Sequence, residues 1–117
     1  MLSHGKRNLS RYTGQIKSFS DAEKLLADRT SMKLGHNTYL DRLTHDSIGV
    51  LLHQTYVVVF NRDGSIKLNS GGWQTVTTKD RMNRFSPVSV GAVNWVWCVN
   101  LPQGGAQKFV DGMVVTP

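Results

Sequence analysis

Cysteine is nearly absent from this 117-residue chain, with Cys98 its single example. One thiol cannot close an intramolecular disulfide, and cysteines alone can build no metal site here. Long apolar runs are missing too. None exceeds five residues, as in Tyr56–Phe60, against the roughly 20 needed for a membrane-spanning helix. The basic N-terminal residues, Met1 to Asn8, lead into no apolar segment, so we expect no secretory signal. A reducing cytoplasm is the expected setting, which leaves a place in a virus particle open. Charged residues run slightly low at 19% and glycine slightly high at 11 residues, in an otherwise average globular composition. That excludes global disorder, collagen-like repeats and coiled coil.

What remains is enough for one domain, because two would each be too small to bury a useful core. The net charge of +6 and pI near 9.8 invite a nucleic-acid partner, but its distribution matters more than its total. Residues 1–33 hold seven basic against three acidic residues, and residues 62–84 hold five against two. Residues 85–117 balance Lys108 against Asp111. The charge thus sits in two separate segments, which form a binding face only if the fold brings them together.

Residues 1–19 read as a basic N-terminal arm, with Leu9, Tyr12, Ile16 and Phe19 as anchors onto a domain spanning 20–117. Ser20-Asp21-Ala22-Glu23 has the form of a capping box, and Ala22, Leu25, Leu26 and Arg29 recur at helical spacing, predicting a helix over 21–29. Thr30, Ser31 and Gly35 close it. Strand patterns follow. One runs from Asn37 to Leu43, with a turn at 44–47. Ile48, Val50 and Leu52 share a face, and β-branched residues continue through Val57–Phe60. Asp63-Gly64 is a hairpin signal, with Ile66–Leu68 returning as the partner strand. The pattern breaks at Ser70-Gly71-Gly72. Trp73–Val76 reads as extended, and Thr77 or Thr78 caps a short helix reaching Phe85. Asn94–Val99 reads as an aromatic strand with Trp95 and Trp97 on one face. Pro102–Gly105 forms a loop, and Asp111-Gly112 separates two last short strands. The expected class is α+β: an antiparallel meander of about six strands with one or two short helices.

The stretch Gly71–Arg84 is the strongest candidate for chemistry. Thr77 and Thr78 offer hydroxyls at a helix start, whose free N–H groups bind anionic oxygens. Lys79 and Arg81 would lie in the first turn, where cations oppose the helix dipole unless an anion is present. Arg84 follows on the face of Arg81. Trp73 is placed to stack on a base. We therefore expect Thr77, Thr78, Lys79, Arg81, Arg84 and Trp73 to bind a phosphate-bearing ligand. Against this stands a plain alternative in which Thr78 caps, Asp80 pairs locally, Trp73 is core and the cations are solvated. Trp95, Trp97, Tyr39 and Tyr56 are further stacking candidates that serve equally as core.

Two His-x-Thr-Tyr segments, at His36 and His53, stand 17 residues apart. Facing each other on adjacent strands, such histidines would act as base and acid on a phosphodiester. They resemble the His-x-Thr pairs of two-histidine phosphoesterases, but that family separates its pair more widely and is larger. We expect no catalytic residue. A metal site from His36, His45, Asp46 and His53 has no chelating spacing behind it, so neither metal nor cofactor is expected. Cys98 is expected to be a buried, inert thiol.

The string Asn37-Thr38-Tyr39-Leu40, Leu52-His53-Gln54-Thr55, Val58-Val59-Phe60, Asp63-Gly64, Leu68–Trp73 and Thr75–Phe85 resembles a family of small proteins encoded by many tailed bacteriophages. The resemblance covers residues 33–87, and His36 departs from it, since the family more usually carries a non-histidine polar residue there. It implies a phage product made in the bacterial host cytoplasm. As an accessory protein of that kind, the chain is expected to antagonise host defence. Its expected role is non-enzymatic binding of nucleic acid or a nucleotide signal. The alternative is a module that binds a host or phage protein, as a minor virion component or an inhibitor. Exposed sheet edges and three tryptophans also suggest a homo-oligomer.

Overall fold

Alternation of apolar side chains over residues 31–68 sets up a sheet that is apolar on one face, and the chain folds it as a meander. The computed structural model describes residue 9 and residues 11–117; the remainder of the expected basic arm lies outside the described residues. Strands β1 (Ser31–Gly35), β2 (Thr38–Thr44), β3 (Ser47–Leu52), β4 (Thr55–Asn61) and β5 (Ile66–Leu68) pair in sequence order, and β9 (Met113–Val115) closes the far edge. All pairs are antiparallel. Cross-strand partners line up in rows, one of them Met32, Leu40, Val50, Val58, Leu68 and Met113. Most of that row is buried, which fixes the register, because a one-residue slip would turn it to water.

Helix α1 (Phe19–Leu26) packs against this face through Phe19, Ala22 and Leu26. Its start corrects the expected capping box at Ser20. Ser18 is the cap, its Oγ accepting the Asp21 N–H at 3.1 Å, while the Asp21 carboxylate accepts the Lys17 N–H at 3.0 Å. The helix also ends at Leu26, three residues early, with Arg29 donating back to the carbonyls of Leu25 and Leu26. Residues 31–35, expected to close the helix, instead form β1. Leu9, Ile16 and Phe19 are buried and Tyr12 packs against the core, so the second half of the expected arm is part of the body.

The second helix, α2 (Val76–Arg84), leads into a separate three-stranded sheet of β6 (Ser89–Val93), β7 (Val96–Asn100) and β8 (Ala106–Lys108). Trp97, Val99, Val90 and Phe109 join the common core, with the Trp97 and Phe109 rings edge-on at 5.3 Å. The α+β class is as expected. The meander supplies six strands, and this small sheet adds three more among the described residues.

Trp95 is a correction. It does not share a strand face with Trp97, because β6 and β7 are joined by a two-residue turn, Asn94-Trp95, with φ of 51° and 69°. Positive φ at both central positions is the favoured hairpin geometry. The Asp63-Gly64 turn forms where expected. Gly64 has a φ of 95°, and the Asp63 carboxylate accepts from both the N–H and the hydroxyl of Ser65, which lowers its pKa.

A cleft at one end of the sheet

In a meander, alternate turns gather at the same end. The β1–β2 turn at 36–37, the β3–β4 turn at 53–54 and the segment after β5 therefore meet, and the His53 N–H donates to the Asn37 carbonyl at 3.2 Å. In β4, Val58 pairs with Val50 but Tyr56 pairs with Leu51, so Val57 is an extra residue in a bulge. Bulges re-aim side chains, and Val57 forms an apolar floor with Leu52. Over that floor opens a cleft of about 710 Å³ between the β3–β4 turn and the start of α2.

The walls are polar. His53 and Gln54 come from the β3–β4 turn, Thr55 from the start of β4, Ser70 and Gly71 from the segment after β5, and Thr75, Thr77 and Thr78 from the start of α2. Among the described residues no carboxylate lines the cleft. Ser70 is fixed by Asp111, whose Oδ1 accepts its N–H at 2.8 Å and its hydroxyl at 2.7 Å. Gly71 is required by space as well as by its φ of 64°, since a Cβ there would stand 2.4 Å from Thr55 Oγ1. Trp73, expected to begin an extended segment, instead lies in a loop at the rim, 69% exposed.

Helix α2 starts earlier than expected. Thr75 is its cap, with Oγ1 accepting the Thr78 N–H at 3.2 Å, so Thr77 and Thr78 lie inside the first turn. The Thr78 hydroxyl is paired with that of Thr75 at 3.1 Å. This early start moves Arg81 and Arg84 into the last turn, where the helix dipole favours cations. The electrostatic misfit expected at Arg81 is therefore absent, whereas Lys79 stays in the first turn.

Both arginines are engaged within the protein. Arg81 is 6% exposed; it donates through Nε to Thr38 Oγ1 at 2.8 Å and through Nη2 to the His36 carbonyl at 3.3 Å, and it pairs with Asp80. Arg84 pairs with the same carboxylate at 2.8 Å and donates to Thr13 Oγ1. Lys79 reaches away from the cleft, its Nζ 5.9 Å from the centre of the Trp97 ring. Of the six residues named from sequence, Thr77, Thr78 and Trp73 line the cleft, and the three cations do not. His53, Gln54, Thr55 and Ser70 were missed as a group. Their sequence signals were the His-x-Thr-Tyr segment at His53, weighed above for catalysis, and the break in strand pattern at Ser70-Gly71-Gly72.

The two histidines are neighbours in the fold without facing each other across strands. Both sit in turns, His53 with a φ of 55°, and His53 alone of the two lines the cleft. His36 Nε2 lies 3.0 Å from Asn37 Nδ2. His45 and Asp46 occupy the β2–β3 turn at the opposite end of the sheet, which breaks up the four-residue metal reading. Among the described residues no group of three His, Cys, Asp or Glu side chains converges as a metal site would require. Cys98, expected to be buried, is half-exposed on the outer face of the small sheet. Tyr56 donates to Asp41 Oδ2 at 2.8 Å. Partial burial, then that hydrogen bond, raise its phenol pKa above the ordinary value.

No helix among the described residues is long and apolar enough to cross a membrane. Comparison with curated proteins and with solved structures gives no match. The sequence model of the Kyanoviridae Gp96 protein family matches residues 16–116. That span is wider than the 33–87 stretch of the phage resemblance, and it takes in α1, every wall of the cleft and the small sheet. The chain therefore belongs to the Kyanoviridae Gp96 protein family, a family of phage proteins.

Proposed function

We propose that this phage protein is a non-enzymatic binder of a phosphate-bearing, nucleotide-like ligand, held in the cleft between the β3–β4 turn and the start of α2. The observation that carries this reading is the cleft itself. At about 710 Å³ it falls in the usual range for small-molecule sites, roughly 300–1,000 Å³. An apolar floor of Leu52 and Val57 suits a ring, and Trp73 at the rim presents an indole face for stacking. Hydroxyls and the N–H groups of Val76 and Thr77, which neither the helix nor the Thr75 cap engages, suit anionic oxygens. Among the described residues no carboxylate stands in the wall itself, and the Asp111 carboxylate behind Ser70 is engaged by two hydrogen bonds. Turnover is not part of the proposal; among the described residues His53 is the one titratable side chain lining the cleft. A protein that binds without turnover would sequester its ligand, as an accessory protein acting on a nucleotide signal would.

Calorimetric titration against mononucleotides, cyclic nucleotides and short single-stranded DNA and RNA tests the reading. Binding of one of these is expected, and Trp73→Ala should weaken it by about 1–3 kcal/mol. A steep loss of affinity with salt would identify a nucleic-acid strand as the source of the phosphate. If the parent binds none of them, or Trp73→Ala binds as the parent does, the reading fails and a protein-binding role takes its place.

A further inference from the structure

Among the described residues the outer face of the small sheet is unpartnered, and its most exposed large apolar residue is held in a conformation its side chain does not favour. Trp95 is 96% exposed with a φ of 69°. Glycine is the usual residue at the second position of such a turn, and an L side chain there is disfavoured. Nothing within the chain calls for an indole at this point, and strain of this kind concentrates where function needs it. Exposed Val93 and Val96 flank the turn as a cross-strand pair. Phe109 donates its N–H to the Trp97 carbonyl, which extends the β7–β8 register and places exposed Val110 in the same row.

We infer that this face is the contact between two copies of the chain, packed sheet to sheet about a two-fold axis. Charge favours a second copy here. The chain carries +6 overall, yet the outward-facing residues of these strands include one charge, Lys108, at the edge. Two like-charged molecules meet with least repulsion on this face. Shape favours it as well. Gly91, in the middle of β6, has open space where a side chain would stand, next to Cys98 on β7. A two-fold contact lets each Trp95 lap onto the other copy's shallow Gly91–Cys98 region, the reciprocity such an interface requires. Size sets the strength. Strands of five, five and three residues about 4.8 Å apart, plus on the order of 200 Å² from Trp95, bury roughly 800 Å² in the pair. That is below the standard size and in the range of weak, transient interfaces, so the dimer is weak, with dissociation in the micromolar range.

Sedimentation of the full chain over a concentration series tests this, with Trp95→Gly and Val110→Lys as variants. The parent is expected to pass from monomer to dimer across the micromolar range. Trp95→Gly is expected to raise the dissociation constant about thirtyfold or more, as loss of a central tryptophan does. It should melt no lower than the parent when both are monomeric, because glycine suits the turn. Cys98, the only cysteine, lies at the middle of the face. A short bismaleimide spanning the roughly 10 Å between packed sheets should therefore cross-link the parent and fail with both variants. A parent that stays monomeric to hundreds of micromolar overturns the inference. So does a dimer indifferent to both variants, or a Trp95→Gly monomer that melts below the parent.

Discussion

The Nε of Arg81 donates to the hydroxyl of Thr38 at 2.8 Å, tying the last turn of α2 to the strand that follows the first turn of the cleft end. Thr38 itself is buried and donates to the His36 carbonyl at 2.8 Å. Arg81 is thus a structural cation. Arg81→Ala is expected to cost about 2–4 kcal/mol in urea unfolding, since it removes a buried, charge-assisted network. Arg81→Lys should recover only part of that, because an ammonium cannot reproduce the planar fork. Arg84→Ala, about a third exposed, should cost about 1 kcal/mol or less. If Arg81→Ala unfolds with the parent, the network carries no stability.

At α1 the two serines are expected to separate cleanly. Ser18→Ala should lower stability by about 0.5–2 kcal/mol through loss of the cap. Ser20→Ala, inside the helix, should change it by about 0.5 kcal/mol or less. Thermal melts of the two single variants decide between them, and equal melting temperatures would remove Ser18 as the cap.

Gly64 and Gly71 share a positive φ but differ in their surroundings. Gly64→Ala meets nothing within 4 Å and should cost about 1–2 kcal/mol from backbone strain alone. Gly71→Ala should cost more, because its Cβ would collide with Thr55 Oγ1. Introducing Gly71→Ala into a Thr55→Ala background should bring the two penalties closer. Equal penalties in the parent background would mean the cleft wall yields freely.

Tyr56 sets an expectation at high pH. Its folded pKa is raised above the ordinary value of about 10, so its contribution to stability is fully present below pH 10. That contribution is lost as pH rises through the folded pKa. Ultraviolet titration of tyrosinate should show one tyrosine ionising late. Asp41→Asn should bring that tyrosine part of the way back toward the ordinary value, since burial stays while the carboxylate that accepts its hydrogen bond is removed. An unchanged titration would mean that Asp41 does not act on Tyr56.

Local patterns were legible wherever a residue's requirement was its own. Ile48, Val50 and Leu52 point inward because they alternate, and Gly64 turns because the hairpin demands positive φ. Less was visible where two local solutions competed. Ser18 and Ser20 each stand three residues before an acid, and the helix takes Ser18. Starting there lets Phe19 and Ala22 share a buried face with Leu26. Thr75, Thr77 and Thr78 posed the same choice. The β3–β4 and β6–β7 turns were missed because His53 and Trp95, neither a usual turn residue, occupy positive φ.

The sequence by itself determined an α+β chain, its alternating strands, the Asp63-Gly64 hairpin and its kinship with phage proteins, since each follows from local periodicity or from residues in order. Only the tertiary structure decided what the cations do and where a ligand fits. Asp80, Thr38 and Thr13 claim Arg81 and Arg84 from as far as 71 residues away in sequence, so cations that looked free in the linear chain are engaged in the folded one, where the two share one carboxylate. The cleft exists because a bulge re-aims Val57 and because alternate turns of a meander converge. Its walls come from three separated segments. Register and topology bring them together, and neither is a property of any one of them.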